Sequence, residues 1–153
     1  MTISIQMIRM ISASFFISWI VGCASTPQYQ ISPTAAKASV ESAIDIPRDY
    51  NDSISIMVYE NKKPFTLFYI NSNKVTPEGS VFIEANQSLK FGYRQSIRAG
   101  DTCSVDVNAR LEPNKRYAFV GGTTFEKSII PFIPNRGCEF GIKDLASGQL
   151  ISN

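Results

Sequence analysis

The sequence predicts an all-β domain, a seven- to eight-stranded antiparallel β-sandwich with one intra-domain disulfide, with a small barrel as the alternative. Three observations support this prediction. Short runs alternate between apolar and polar residues, turn residues separate these runs, and two cysteines fall on the apolar rows of two of them. Long helical periodicity is absent, and several short strands at this spacing are typical of sandwiches and small barrels.

The first 22 residues have the composition of a signal peptide. Arg9 precedes an uncharged apolar run that ends at Val21, and this run is shorter than the roughly 20 residues that cross a bilayer. The run ends with Ile20 and Val21, and Gly22 and Cys23 follow directly. Together these four residues resemble the lipobox of bacterial prolipoproteins. The resemblance implies removal of residues 1–22, a diacylglyceryl group on the Cys23 sulfur and an acyl chain on its new amine. An ordinary cleaved signal and an uncleaved membrane helix are the alternatives.

The residue after the cysteine bears on the membrane that carries the anchor. Ala24 stands where aspartate retains Gram-negative lipoproteins in the inner membrane. The lipobox resemblance therefore implies a lipid anchor on the periplasmic face of the outer membrane, with the inner membrane or the cell surface as alternatives.

Residues 23–50 are predicted to be the lipidated N-terminus and a flexible tether, because Ser, Thr, Ala and Pro are frequent and no sustained apolar pattern is present. Such a tether reaches about 25–30 Å and lifts the domain clear of the lipid headgroups. Within it, a short helix is expected from Thr34 to Ile44. The β-domain then takes residues 51–153.

The strands of the first half follow from alternation and turn residues. Residues 53–59 place Ile54, Ile56 and Val58 on one face, and residues 65–70 form a second strand that is apolar on both faces. Turn residues occupy 61–64, 71–74 and 77–79. Residues 81–85 and 89–94 are predicted to pair as a hairpin around residues 86–88.

The second half begins with the most regular strand, from Cys103 to Leu111, where apolar and polar residues alternate without exception. A turn at 112–115 leads into residues 116–120, its predicted hairpin partner, which Gly121 and Gly122 end. A strand from Cys138 to residue 143 and a short closing strand after a turn complete the domain. The strand count and spacing are similar to those of immunoglobulin- or transthyretin-like sandwiches.

Cys103 and Cys138 are predicted to form a disulfide, since both lie on inward rows and form an even pair in an exported protein. Closure of a loop of this length contributes about 3–4 kcal/mol to stability. Two separate buried thiols are the alternative.

The composition argues against several classes of function. The chain contains no histidine, which removes the commonest general base and neutral metal ligand. Its 15 basic and 13 acidic side chains nearly balance, which gives no electrostatic case for binding nucleic acid or an anionic membrane. No Ser-x-x-Lys motif, phosphate-binding glycine loop or Asp-rich calcium loop is present. We therefore expect no enzyme activity, no metal and no cofactor besides the covalent lipid on Cys23.

Three sets of side chains are candidates for a site. The acidic set could supply a carboxylate pair, although we favour the interpretation that its members are solvated residues of strand faces and turns. The set consists of Asp101, Asp106, Glu112, Glu126, Glu139 and Asp144. A patch for anionic glycan or peptidoglycan would come from the basic set, for which solvated faces are again favoured: Lys90, Arg94, Arg98, Arg110, Lys115 and Arg116. The apolar segment 128–134 could contact a partner protein or lipid through Ile129, Ile130, Phe132 and Ile133. We favour the interpretation that it is an edge segment folded over the open end of the sandwich.

These observations lead to a functional expectation. The turns at 111–117 and 142–148 are similar to those in the C-terminal halves of small uncharacterised envelope lipoproteins. We expect a membrane-anchored envelope lipoprotein that acts as a non-enzymatic binding or assembly module for another envelope protein, through an edge strand or an apolar loop. A module for glycan, peptidoglycan or lipid, and an inhibitor of an envelope enzyme, are the alternatives.

Overall fold

The computed structural model describes residues 27–45, 52–96, 102–126 and 135–152. These residues contain nine strands and no helix: β1 (Lys37–Ser42), β2 (Ser53–Glu60), β3 (Lys63–Asn71), β4 (Val75–Thr76), β5 (Ser80–Glu84), β6 (Ser88–Ser96), β7 (Thr102–Arg110), β8 (Arg116–Glu126) and β9 (Asn135–Asp144). One sheet has the order β4-β3-β2-β6-β7 and the other the order β5-β1-β8-β9. The prediction of an all-β sandwich is confirmed, although β1 and β8 pair in parallel.

The core lies between the two sheets and is built around aromatic rings. Phe119 of β8 packs edge-on against Phe68 of β3 at 6.0 Å between ring centroids, and its ring lies 5.6 Å from that of Phe91 on β6. Phe140 of β9 stacks between Phe119 and Tyr93 at 5.5 and 5.6 Å. Because β8 and β9 belong to one sheet and β3 and β6 to the other, these contacts hold the two sheets together.

The two predicted hairpins in the middle of the chain are wrong. β5 and β6 lie in different sheets, and so do β7 and β8, so the connections at 85–87 and 111–115 cross from one sheet to the other. β5 pairs with β1 instead, and β8 pairs with β1 and β9. Each of these strands points its apolar row into the core. The same alternation of apolar and polar residues is needed whether the next strand in the sequence lies beside it in the same sheet or faces it in the other sheet.

The N-terminal boundary of the domain also differs from the expectation. The expected helix from Thr34 to Ile44 is absent, and β1 takes its place between β5 and β8, with Ala38 and Val40 fully buried. Residues predicted to be tether therefore fill an interior position of a sheet. Ala38 and Val40 are separated by one residue, which is the period of a strand.

A second part of the predicted tether lies against β3, and we call residues 27–31 the strap. The Thr66 N–H donates to the Pro27 carbonyl at 3.0 Å, and the Tyr29 N–H donates to the Thr66 carbonyl at 3.3 Å. The register of β3 against β2 shifts here, leaving Leu67 as an extra residue. Leu67 is buried, and it lines the same depressions as strap residue Gln28. The strap thus explains why the second predicted strand is apolar on both faces.

The predicted disulfide is confirmed. Cys103 of β7 and Cys138 of β9 are bonded, with their Cα atoms 6.1 Å apart. Both strands are edge strands, so the bond joins the two sheets along one lateral side of the sandwich, which we call the disulfide side. The opposite lateral side, between β3 and β5, carries the strap and is called the strap side.

Candidate functional site

The disulfide side presents one long edge strand, β7. All nine residues of β7 pair with β6 in an unbroken antiparallel register, from Ser96↔Thr102 to Ser88↔Arg110. Within the described residues, no strand pairs with its other edge. A strand edge of this kind carries backbone N–H and C=O groups that an extended peptide can pair with.

The two faces of β7 differ sharply. Its inward row includes Val107 and Ala109, which are buried in the core. Its outward row is polar and exposed: Thr102, Ser104, Asp106, Asn108 and Arg110. The apolar row fixes the orientation of the strand, which leaves the polar row and the backbone edge as the surface that a partner would meet.

An ion network on the outer face ties β7 to β6. Asp106 lies 2.7 Å from the Arg94 guanidinium and 2.8 Å from the Lys90 ammonium. The hydrogen bond from Arg94, assisted by Lys90, holds the pKa of the Asp106 carboxyl below its usual range. Arg94 and Lys90 lie on one strand and Asp106 on the next, so the network resists sliding of the edge strand.

Tyr59 of β2 extends this network across three strands. Arg94 donates to the Tyr59 hydroxyl at 2.9 Å, and the Lys90 ammonium lies 5.2 Å from the centre of the Tyr59 ring. The ring covers Gly92, where an added Cβ would lie 2.9 Å from a ring carbon. The absence of a side chain at Gly92 therefore makes room for the ring, and these contacts link β2, β6 and β7 across their outer face.

Two links between the sheets lie next to each other on the disulfide side. The hydroxyls of Tyr93 and Thr123 each donate to the side-chain oxygen of Gln95 at 2.8 Å, and Thr123 does so from the opposite sheet. Gln95 pairs in register with Cys103, and Thr123 pairs with Cys138. A buried polar bridge thus adjoins the covalent one, and burial raises the pKa of Tyr93 to about 12.

The described acidic candidates do not converge on a common centre. Asp106 lies in the network of β6 and β7, and Glu112 contacts Lys115 at 2.9 Å in the turn before β8. Glu139 is exposed on β9. Glu126 lies at the end of β8, and Asp101 lies outside the described residues.

Asp144 has a structural role at the end of β9. Its carboxylate accepts hydrogen bonds from the N–H groups of Ala146 at 2.7 Å and Ser147 at 3.2 Å, which lower its pKa. Lys115 approaches the same carboxylate at 3.5 Å. These contacts form the turn that returns the chain along β9, where Lys143 and Leu150 make a bridge.

Most of the basic candidates have carboxylate partners. Lys90 and Arg94 contact Asp106, Lys115 contacts Glu112 and Asp144, and Arg116 contacts Glu41 at 3.3 Å. Arg110 is exposed at the end of β7, and Arg98 lies outside the described residues. The described members of the basic set therefore do not form one continuous cationic surface.

Two sets of predicted site residues lie outside the described residues. These are the lipobox residues Ile20, Val21, Gly22 and Cys23, and the apolar residues Ile129, Ile130, Phe132 and Ile133. Across the described ranges, no three Cys, Asp or Glu side chains gather closely enough to hold a metal ion. In the same ranges, no helix has the length and apolar character to span a bilayer.

A second surface, which sequence reasoning missed, lies on the strap side. Two adjoining depressions of about 440 and 310 Å³ share Gln28, Thr66, Leu67 and Pro77 in their walls. Tyr69 borders the first and Phe82 the second, with 42% and 59% of their surfaces exposed. The only signal in the sequence was the apolar character of both faces at residues 65–70.

Comparisons of the chain with protein-family models, curated proteins and solved structures found no match.

Proposed function

We propose that this protein is an envelope lipoprotein, anchored through acylated Cys23 on the periplasmic face of the outer membrane. Its sandwich acts as a binding or assembly module for another envelope protein and is not an enzyme. The lipobox residues and Ala24 support the anchor and its location. The edge of β7, with which no other described strand pairs, is the observation that carries the binding role.

The β7 edge suits a protein partner because its geometry is fixed before binding. The disulfide ties β7 to β9, and the ion pairs of Asp106 tie it to β6. A rigid edge loses little conformational freedom when an extended segment adds to it as a further strand, so more of the backbone hydrogen bonding appears as affinity.

The charges of the same surface favour a protein over an anionic glycan. Lys90 and Arg94 are the basic residues nearest the middle of the β7 edge, and both are engaged by Asp106. A glycan with acidic groups would have to compete with that carboxylate. An extended peptide uses backbone groups at the edge and leaves the ion network in place.

Site-specific crosslinking in intact cells tests the partner. A photoreactive amino acid replaces Ser104 or Asn108, both exposed on β7, and in the control it replaces Ser88, exposed on the interior strand β6. We expect one protein to crosslink from the two β7 positions and not from Ser88. The double variant S104K/N108K should abolish crosslinking from Thr102, because lysines on an edge strand oppose strand addition.

Two results would contradict the binding role. One is equal crosslinking from all three positions, and the other is unchanged capture in the lysine variant.

The anchor is tested separately by the mass of the N-terminal peptide of the mature protein. We expect a peptide that begins at Cys23 and carries diacylglycerol and an N-acyl chain.

A further inference from the structure

The strap changes the distance between the domain and its anchor. The Pro27 carbonyl accepts a hydrogen bond from Thr66 in the middle of β3, so the chain is already part of the fold at residue 27. Three residues lie between it and Cys23, and the four Cα–Cα steps from Cys23 to Pro27 span at most about 14 Å. With Cys23 acylated, the strap would therefore begin within that distance of the lipid headgroups, whatever the conformation of the residues between.

We infer that the strap side lies on the phospholipid surface of the membrane that holds the anchor. This inference rests on the proposed acylation of Cys23. It replaces the expectation of a long tether that lifts the domain clear of the membrane.

The side chains on this surface suit a membrane interface. Tyr69 and Phe82 are two of the large apolar residues that the described part of the chain exposes, and each lines one of the two depressions that strap residue Gln28 also lines. Tyrosine is favoured at the level of the headgroups because its apolar ring and its polar hydroxyl both find a suitable environment there, and an exposed phenylalanine adds apolar surface that the interface can bury. The depressions between them can receive headgroup or upper acyl atoms.

The orientation also fits the binding role. The strap lies along β3 and contacts β5 through the Tyr29 hydroxyl, which accepts a hydrogen bond from the Glu84 N–H at 3.4 Å. β7 and β9 lie at the far ends of their respective sheets. With the strap side on the lipid, the edge of β7 faces away from the membrane, where a partner can reach it.

Photocrosslinking in vesicles tests this orientation. The mature, acylated protein, which begins at Cys23, is placed in vesicles of phosphatidylethanolamine and phosphatidylglycerol, with a photoreactive residue in place of Tyr69, Phe82 or, as the control, Asn108 on β7. We expect lipid adducts several-fold more abundant from positions 69 and 82 than from 108. A Gly/Ser insertion of about 20 residues between Ala24 and Pro27 adds roughly 25 Å of reach and should reduce those adducts to the control level.

The outcomes separate the two proposals. If Cys23 carries its acyl chains but the three positions give equal adducts, the orientation is wrong and the anchor stands. Crosslinks from positions 69 and 82 to a protein or to a second copy of the chain would likewise overturn the orientation. If Cys23 carries no acyl chain, both proposals fail.

Discussion

Gly121 shows how a single position fixes the pairing of β8 with β9. A Cβ at this position would overlap the Glu139 carbonyl, and its φ of +139° is one that other residues rarely adopt. From sequence, the Gly-Gly pair looked like the end of a strand, yet β8 continues through it to Glu126. The alternation of residues along β8 cannot reveal that a glycine is needed here, because the backbone that approaches it closely is that of a different strand, β9.

We predict that Gly121→Ala destabilises the domain more than Gly122→Ala. Gly122 has a similar φ of +148°, but nothing lies within 4 Å of its would-be Cβ, so it reports backbone strain of about 1–3 kcal/mol alone. The overlap at Gly121 should lower the free energy of unfolding by about 1–3 kcal/mol more. Urea unfolding of both variants measures the difference, and equal losses would contradict the close approach.

Tyr93 gives a prediction for alkaline pH. Burial raises its pKa to about 12 from an ordinary value near 10. Between these values the unfolded chain loses the phenol proton and the folded chain keeps it, so stability from this group is complete below pH 10 and is lost as pH rises toward 12. In Tyr93→Phe, the decline of the unfolding free energy over this range should become shallower.

The control for this prediction is Thr123→Val. It removes the other hydrogen bond to the Gln95 oxygen, worth about 1 kcal/mol, without removing a titrating group. Chemical denaturation from pH 8 to pH 12 should show a lower stability for Thr123→Val at every pH and an unchanged slope. A slope in Tyr93→Phe equal to that of the unaltered protein would show that Tyr93 does not account for the decline.

Among elements, β6 and β7 form the unit on which the proposed binding edge depends. We predict that Asp106→Asn lowers the free energy of unfolding by about 1 kcal/mol at pH 7 and low salt, since Asp106 has two cationic partners and is partly exposed. The lowered pKa of Asp106 means that its contribution is complete above about pH 4 and is lost as pH falls through the folded-state pKa. The difference between variant and unaltered protein should therefore disappear in acid.

Glu139→Gln is the matched control, because it removes the same charge from an exposed position on β9. It should change stability by less than Asp106→Asn at pH 7, as measured by urea unfolding. A loss in Asp106→Asn that persists below the folded-state pKa of Asp106 would mean that the ion pairs are not its cause.

The strands also show which structural features the alternation of apolar and polar residues can predict and which it cannot. Alternation placed Cys103 and Cys138 on inward rows, and the disulfide followed from that. It could not distinguish a hairpin from a crossing between sheets, since both orient the apolar row toward the core. β1 was missed because its inward row contains only two apolar residues, Ala38 and Val40. Two small apolar side chains in so short a strand do not make a recognisable alternating pattern.

For the candidate site, sequence reasoning identified the strand of β7 and its polar row but not its place at an edge. Edge position depends on the order of strands in a sheet, which is set by partners distant in sequence such as β1 and β8. The strap side was missed for the same reason, because Gln28 and Thr66, which form a bridge, are far apart in the sequence.

At the scale of the whole molecule, the sandwich is closed on its two lateral sides by different means. The disulfide closes the β7–β9 side. The strap closes the β3–β5 side through two backbone hydrogen bonds with Thr66 of β3 and a hydrogen bond from the Glu84 N–H of β5 to the Tyr29 hydroxyl. The strand order places these closures at opposite ends of both sheets. They should therefore contribute independently to stability.

We predict that a double-mutant cycle will find the two closures additive within about 0.5 kcal/mol. Replacing Cys103 and Cys138 by alanine should cost about 3–4 kcal/mol through the lost restraint on the unfolded chain. Thr66→Pro removes the N–H that donates to the Pro27 carbonyl and should cost at least about 1–2 kcal/mol. Urea unfolding of the three variants gives the coupling. A coupling above about 1 kcal/mol would mean that the two sides are not independent, and that strain imposed on the strap side by the membrane would reach the edge of β7.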